Sequence, residues 1–143
     1  MDYEEYKKQV ELIGKENEKL LSAFKKWLKD KGLSEKTIRN HIDNVSFYIN
    51  EFLCYYEPAT AQKGCCGLTI NSFLGDWFVR KTTWASPAQV KSNAASIKKF
   101  YRWMLEETDL IDKSSYEDLC DEIKSEMPVW QENAEFDDDV YFW

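Results

Sequence analysis

Histidine, arginine and glycine are scarce in this chain of 143 residues. It contains one histidine, His41, three arginines and five glycines. It has no glycine-rich loop that could cradle a phosphate group, and no pair of titratable residues shows a spacing typical of catalysis. His41 lies beside an apolar helical stripe, so a half-buried structural role is expected for it. We therefore expect no enzyme activity, no catalytic residue, no cofactor or metal, and no small-molecule substrate.

Long apolar segments are missing as well. No segment approaches the ~20 apolar residues that span a bilayer, and the first residues, Met1-Asp2-Tyr3-Glu4-Glu5, are acidic where a secretory signal would be basic. The four cysteines, Cys54, Cys65, Cys66 and Cys120, show no C-x-x-C spacing, so free thiols are favoured over disulfides or a metal site. We expect a cytoplasmic protein with no membrane partner.

The acidic residues are concentrated at one end of the chain. The net charge is −7, but residues 1–113 contain 18 Lys and Arg against 16 Asp and Glu, whereas residues 114–143 contain one against ten. The first part is therefore mildly basic, and the net charge does not exclude nucleic acid as a partner. We expect a helical domain over residues 1–113, followed by an acidic C-terminal helix and tail over residues 114–143.

Apolar residues recur at steps of three and four along most of the chain, which predicts an all-α fold. With 43% hydrophobic and 15% aromatic residues, the chain can form one packed core. The predicted bundle has four main helices and a short acidic one. The main helices run from near Tyr3 to Lys31, from Ser34 to Tyr56, from Ile70 to about Lys81 and from Ser86 to Glu107, and the acidic helix runs from Ser115 to about Ser125.

Caps and helix-breaking residues set the predicted boundaries. Ser34 and Ser86 are each expected to accept a hydrogen bond from a first-turn amide, which contributes about 1 kcal/mol per cap. Thr69 is expected to cap the third helix, and Pro87 suits a first turn, where its missing N–H costs nothing. Three other residues are expected to interrupt or end helices: Gly14 kinks or splits the first, Gly32 ends it, and Pro128 ends the fifth.

Three segments combine cap residues, core residues and cations in a characteristic order. They are Phe24-Lys25-Lys26-Trp27-Leu28, then Gly32-Leu33-Ser34-Glu35-Lys36-Thr37-Ile38-Arg39, then Ser92-Asn93-Ala94-Ala95-Ser96-Ile97-Lys98-Lys99-Phe100-Tyr101-Arg102-Trp103. At this separation they resemble the N-terminal core-binding domain of tyrosine recombinases, the phage integrase family, a domain that is also called SAM-like. The resemblance covers roughly residues 20–107 and implies a compact bundle of four main helices.

The resemblance also implies a surface for double-stranded DNA. In that family the second and fourth helices of the domain meet DNA in and around the major groove, and here these helices begin at Ser34 and Ser86. Contacts to the DNA backbone are then expected from Lys36 and Arg39 on the second helix, and from Lys91, Lys98, Lys99 and Arg102 around the small Ala95 on the fourth. Candidates for base contacts are Asn40, Gln89 and Asn93. The alternative interpretation is that these lysines only solvate a helix surface.

Family members that recombine DNA carry a second, larger domain. It supplies arginine, lysine and histidine residues and a nucleophilic tyrosine around the transferred phosphoryl group. This chain has no counterpart of that domain. The expected function is therefore a stand-alone, non-catalytic DNA-binding module of recombinase origin, such as an accessory or truncated part of a mobile element that takes part in DNA integration and recombination.

The acidic end of the chain supports an alternative function. Asp137 to Asp139 precede Tyr141, Phe142 and Trp143, aromatic residues that a merely solvating tail would not need. A protein-interaction module of the same fold, which has lost DNA binding, would use this tail to bind a partner protein. In a third hypothesis, the acidic segment covers the cationic residues of the fourth helix and competes with DNA.

Overall fold

The computed structural model of the chain consists mainly of five helices. It describes the backbone of residues 1–141 and the side chains of residues 1–135. Helix α1 is Tyr3–Asp30, α2 is Glu35–Ser46 continued by the π-helical Phe47–Phe52, α3 comprises Gly67–Ser72, the π-helical Phe73–Trp77 and Phe78–Lys81, α4 is Pro87–Glu107, and α5 is Lys113–Tyr141. A short 3-10 helix, Ala61–Gly64, lies between α2 and α3. Because residues 1–141 contain no β-strand, the predicted all-α class is confirmed.

The helices group into two compact units. The first is Met1–Gly64, which contains α1 and α2, and the second is Cys65–Trp143, which contains α3, α4 and α5. The division expected after residue 113 stays a prediction. Within the part of the chain that the structure describes, no helix is both long and apolar enough to cross a membrane.

In the first unit, α1 packs against α2 through the apolar stripes of both helices. The residues at this contact that are fully buried include Phe24, Leu28, Val45 and Ile49. Gly14 lies within an uninterrupted α1, so the predicted split is wrong, whereas the predicted kink stays a prediction. The neighbouring Ile13 is buried, and tertiary packing of this kind can outweigh the about 1 kcal/mol that glycine costs in a helix.

The turn between α1 and α2 forms as predicted. Gly32 has a φ of 84°, in the left-handed region that glycine adopts without strain. The hydroxyl of Ser34 then accepts a hydrogen bond from the backbone N–H of Thr37 at 3.2 Å, which caps α2. This short connection places the last turns of α1 beside the first turns of α2.

Helix α2 ends at Phe52, one turn earlier than predicted. Two tyrosine hydroxyls fix the segment that follows it. Tyr6 donates a hydrogen bond to the carbonyl of Cys54 at 2.6 Å, and Tyr48 donates one to the carbonyl of Gly64 at 2.7 Å. These two hydrogen bonds hold residues 53–64, the segment after α2, against the helices of the first unit.

In the second unit, α3, α4 and α5 enclose an aromatic core. Its fully buried side chains include Phe73, Phe78, Phe100, Tyr101 and Trp130. Helix α4 begins as predicted, because the hydroxyl of Ser86 accepts a hydrogen bond from the N–H of Gln89 at 3.1 Å and Pro87 occupies the first helical position. The four cysteines are free thiols, also as predicted.

The predicted cap at Thr69 is wrong. Helix α3 begins at Gly67, after Cys66, whose side chain makes no capping hydrogen bond. The backbone N–H of Gly67 instead donates to the carboxylate of Asp118 in α5 at 2.7 Å. A residue distant in sequence thus does what a local cap would do.

The predicted end of α5 near Ser125 is also wrong, because the helix continues through Pro128 to Tyr141. A proline inside a helix lacks one backbone N–H and costs about 3 kcal/mol. Beyond it, however, Trp130 is only 1% exposed, and its indole N–H donates to Oδ1 of Asn71 at 2.6 Å. We attribute the continuation of the helix to this burial, which outweighs the cost of the proline.

Candidate nucleic-acid interface

One face of α4 carries a row of cations. Lys91, Ala95, Lys98 and Arg102 follow each other at steps of four, three and four residues, so they lie on one side of the helix. All four are exposed, and Lys99 is half-buried at the edge of the row. We call Lys91, Lys98, Lys99 and Arg102 the α4 stripe.

The opposite face of α4 anchors the helix in the second unit. The residues on it that are fully or almost fully buried include Val90, Ala94, Ile97, Phe100 and Met104. Because so much of this face is packed, the cations are presented by a fixed backbone rather than by a mobile loop. Ala95 and Ala88 are the small residues on the exposed face, and they leave room for another molecule to approach the helix closely.

The lysines and the arginine of the α4 stripe differ in their partners. Among the side chains of residues 1–135, no carboxylate oxygen lies within 4.0 Å of the Nζ atoms of Lys91, Lys98 or Lys99. Nε of Arg102, in contrast, lies 3.3 Å from Oε1 of Glu106, and this hydrogen bond raises the pKa of the guanidinium. The lysines are therefore available to an anion, whereas Arg102 is shared with Glu106.

A cavity of about 360 Å³ lies between two ion pairs, Arg102 with Glu106 and Lys113 with Glu117. It is lined by Arg102, Leu105, Glu106, Lys113, Tyr116 and Glu117. Nζ of Lys113 lies 3.8 Å from Glu117, so the charges around this cavity largely compensate each other. Burial, with a hydrogen bond to Cys120, raises the pKa of Tyr116 to about 12, and its hydroxyl stays protonated at neutral pH. This end of α4 is thus less attractive to anions than the three lysines.

Lys36 and Arg39 belong to the first unit. Both are exposed, and they lie in the first two turns of α2, after the capping Ser34. Arg39 also lines a groove of about 470 Å³ between the end of α1 and the start of α2. The other residues that line this groove are Lys25, Lys29, Leu33, Glu35, Ile38 and Ile42. The structure therefore adds two cations of α1 to the predicted set.

Lys25 and Lys29 could not be predicted as site residues, because no property of either residue alone distinguishes it from other surface lysines. They lie four residues apart and hence on one side of α1, but a solvated helix surface has the same pattern. Their significance depends on the turn at Gly32, which brings Arg39 to the same groove. The available signal was the excess of lysine before that turn, where Lys25, Lys26, Lys29 and Lys31 occur within seven residues.

The remaining predicted residues have different positions. Asn93 is only 2% exposed, and its side-chain amide donates to the carbonyl of Gln89 at 2.9 Å, so its expected role in base contacts is wrong. Asn40 and Gln89 are exposed. Tyr141 is the last residue of α5, but its side chain, with Phe142 and Trp143, lies outside the described residues. The predicted role of these three aromatic residues stays a prediction.

Comparison of the chain with protein-family models, with curated proteins and with solved structures gave no match. The resemblance to integrase core-binding domains thus depends on the three sequence segments given above.

Proposed function

We propose that this chain is a stand-alone, non-catalytic DNA-binding module that holds double-stranded DNA through its phosphates. The single observation that carries the proposal is the α4 stripe, a row of cations on a well-anchored helix, all of them exposed except the half-buried Lys99. The proposal includes the finer fold type, a SAM-like bundle as in the core-binding domains of phage integrases, and a cytoplasmic location. The serine caps support the resemblance, because Ser34 and Ser86 begin the two helices that it assigns to DNA contact.

The dimensions of α4 suit a DNA groove. Lys91 and Arg102 are eleven residues apart, which corresponds to about 16 Å along a helix. The major groove of B-DNA is about 12 Å wide. Cations at both ends of such a segment can therefore reach phosphates on either side of the groove, and Ala95 between them does not hold the helix away.

The charges on this face favour phosphate as the ligand. Lys91, Lys98 and Lys99 have no carboxylate within 4.0 Å among the side chains of residues 1–135, so binding a phosphate breaks no existing ion pair. The overall charge of −7 opposes DNA at long range. Binding is thus expected to be weak at physiological salt and stronger at low salt, because the release of counterions from the DNA phosphates is more favourable there.

Fluorescence anisotropy with a labelled DNA duplex of about 20 base pairs tests the proposal. If about four to six cations neutralise phosphates, the logarithm of the binding constant falls with the logarithm of salt concentration at a slope of roughly −4 to −5. Lys98→Glu should weaken binding and reduce this slope. The matched control is Lys124→Glu, an equal change of charge at an exposed position of α5. Absence of binding at low salt would exclude the proposal, and equal effects of both variants would refute a role for the α4 stripe.

A protein-interaction module of the same fold is the second candidate. The observation that favours it is the groove beside Arg39, whose apolar residues Leu33, Ile38 and Ile42 offer nothing to a phosphate. In that function the predicted partner-binding residues Tyr141, Phe142 and Trp143 would contact another protein. Replacing the three by alanine should then remove a captured partner and leave the folded helices unchanged by circular dichroism.

A further inference from the structure

The groove of the first unit combines two kinds of surface. Lys25, Lys29 and Arg39 line it with cationic side chains, and a single carboxylate, that of Glu35, lies among them. The apolar part of its lining consists of Leu33, Ile38 and Ile42, which we call the groove floor. Ile38 is buried, whereas Leu33 and Ile42 are half-buried and can contact a ligand.

Among the side chains that the structure describes, the three cations have no carboxylate partner. No carboxylate oxygen of residues 1–135 lies within 4.0 Å of the charged nitrogens of Lys25, Lys29 or Arg39. Lys25 and Lys29 are also one helical turn apart, where two like charges repel each other. An anionic ligand would relieve this repulsion, and it would do so without breaking an ion pair of the folded chain.

The apolar groove floor favours a peptide over DNA as the ligand. The backbone of DNA presents phosphates and sugars, which would leave Leu33 and Ile42 without an apolar partner. A peptide with carboxylates beside aromatic or aliphatic side chains matches both surfaces, because its charges can reach the cations while its apolar side chains cover the floor.

We propose that this groove binds an acidic peptide segment with aromatic side chains, supplied by a partner protein. This inference goes beyond DNA binding, since it concerns a different surface in a different unit from the α4 stripe. Three cations and one carboxylate line the groove and give it a net charge of +2, so two carboxylates of the segment neutralise it.

A binding titration with the full chain tests the inference. The probe is a fluorescein-labelled peptide with the sequence of residues 136–143, Phe-Asp-Asp-Asp-Val-Tyr-Phe-Trp, which has the stated chemistry. The double variant Lys25→Glu/Lys29→Glu should weaken its binding by at least about tenfold, because two exposed charges are reversed. The matched control, Lys7→Glu/Lys8→Glu, makes the same change of charge at exposed positions of α1 outside the groove and should alter binding by less than about twofold.

Two altered peptides test the chemistry of the ligand. One has its three aspartates replaced by asparagine, and the other has Tyr141, Phe142 and Trp143 replaced by alanine. Each should bind the wild-type chain at least about tenfold more weakly than the parent peptide. Equal binding of the first would show that charge is irrelevant, and equal binding of the second would show that the groove floor is not used. Either result overturns the inference.

A DNA titration with the same variants separates this inference from the proposed function. If Lys98→Glu weakens DNA binding while Lys25→Glu/Lys29→Glu weakens only peptide binding, both proposals hold. If the chain binds the peptide but no duplex, the DNA proposal fails and this one stands. If Lys25→Glu/Lys29→Glu lowers DNA affinity and leaves peptide affinity unchanged, the groove belongs to a DNA surface and the peptide proposal is refuted. Circular dichroism of all variants confirms that they are folded.

Discussion

The carboxylate of Asp118 accepts a hydrogen bond from the backbone N–H of Gly67 at 2.7 Å, although 51 residues separate them in the chain. The N–H groups in the first turn of a helix have no partner within that helix, and a side chain just before the helix usually satisfies one of them. Cys66 makes no such bond. Helix α3 therefore depends on α5 for its start, and the acidic α5 has a structural role in the second unit.

Replacing Asp118 by alanine should destabilise the second unit by about 1 kcal/mol, the usual cost of losing a capping carboxylate. Urea unfolding followed by tryptophan fluorescence measures this, because five of the six tryptophans belong to the second unit. Asp121→Ala is the control: Asp121 is exposed in the same helix and should be replaceable at little cost. Equal stabilities of the two variants would contradict the role assigned to Asp118.

The helix starts that could be predicted from the sequence are those with local signals. Ser34 and Ser86 cap α2 and α4 through amides three residues later, and Gly32 ends α1 through its own backbone conformation. The start of α3 and the length of α5 could not be predicted in this way, because they depend on Asp118 and Trp130, which meet α3 only in the folded unit.

The cationic surfaces also differ in whether they can be predicted from the sequence. The α4 stripe follows from spacing alone, because residues three and four apart on one helix share a face. The groove beside Arg39 does not, since Lys25 and Lys29 approach it only after α1 has turned back onto α2. A pattern within one helix can thus be found from the sequence, whereas a surface shared by two helices requires the fold.

Pro128 lies inside α5 and is exposed, so its replacement should be favourable. Alanine restores the missing backbone N–H and removes the ring that clashes with the carbonyl one turn earlier. Pro128→Ala should therefore raise the free energy of unfolding by up to about 3 kcal/mol. The melting temperature and the helical circular dichroism signal at about 222 nm should both increase. A loss of stability would indicate that the helix ends at this proline, as its sequence alone suggested.

Replacing Gly75 by alanine should lower the stability of the chain, whereas replacing Gly14 by alanine should raise it. A Cβ atom on Gly75 would lie 3.0 Å from Cδ1 and Nε1 of the buried Trp130 and 3.1 Å from Oδ1 of Asn71, whereas one on Gly14 would meet nothing within 4 Å. Gly75→Ala should cost about 1 to 3 kcal/mol through overpacking. Gly14→Ala should stabilise α1 by about 0.5 to 1 kcal/mol. Thermal melts of the two variants distinguish these outcomes, and a stabilised Gly75→Ala would mean that α3 and α5 are less closely packed.

The stability of the second unit should decrease in alkaline solution. Burial raises the pKa of the Cys65 thiol from 9.0 to about 12, with smaller effects from nearby Cys120, Cys66, Asp112 and Asp118. Because the folded-state pKa lies above the unfolded one, this contribution is complete below about pH 9 and is lost as the pH rises toward 12. Burial also raises the pKa of Tyr116 to about 12, so its ionisation should lower the stability in alkaline solution as well.

Urea midpoints at about pH 8 and about pH 10.5, measured by circular dichroism, check this expectation. Cys65→Ala removes the thiol and should reduce the loss of stability between the two pH values. Cys66→Ala, at the adjacent half-buried position, serves as the control. If Cys65→Ala and wild type lose the same stability, ionisation of the thiol does not account for the alkaline decrease.

Glu106 should limit the affinity of the α4 stripe for DNA. Its carboxylate lies 3.3 Å from Nε of Arg102, and both side chains are exposed, so a phosphate must compete with it for the guanidinium. Glu106→Gln weakens this competition, and we expect the affinity for a duplex to rise by about twofold to fivefold at low salt. Glu107→Gln removes the same charge from the next position of α4 and is the control. A larger gain for Glu106→Gln identifies Arg102 as a phosphate ligand. Equal gains would mean that the duplex responds only to the net charge of the chain, and Arg102 would then have no direct part in binding.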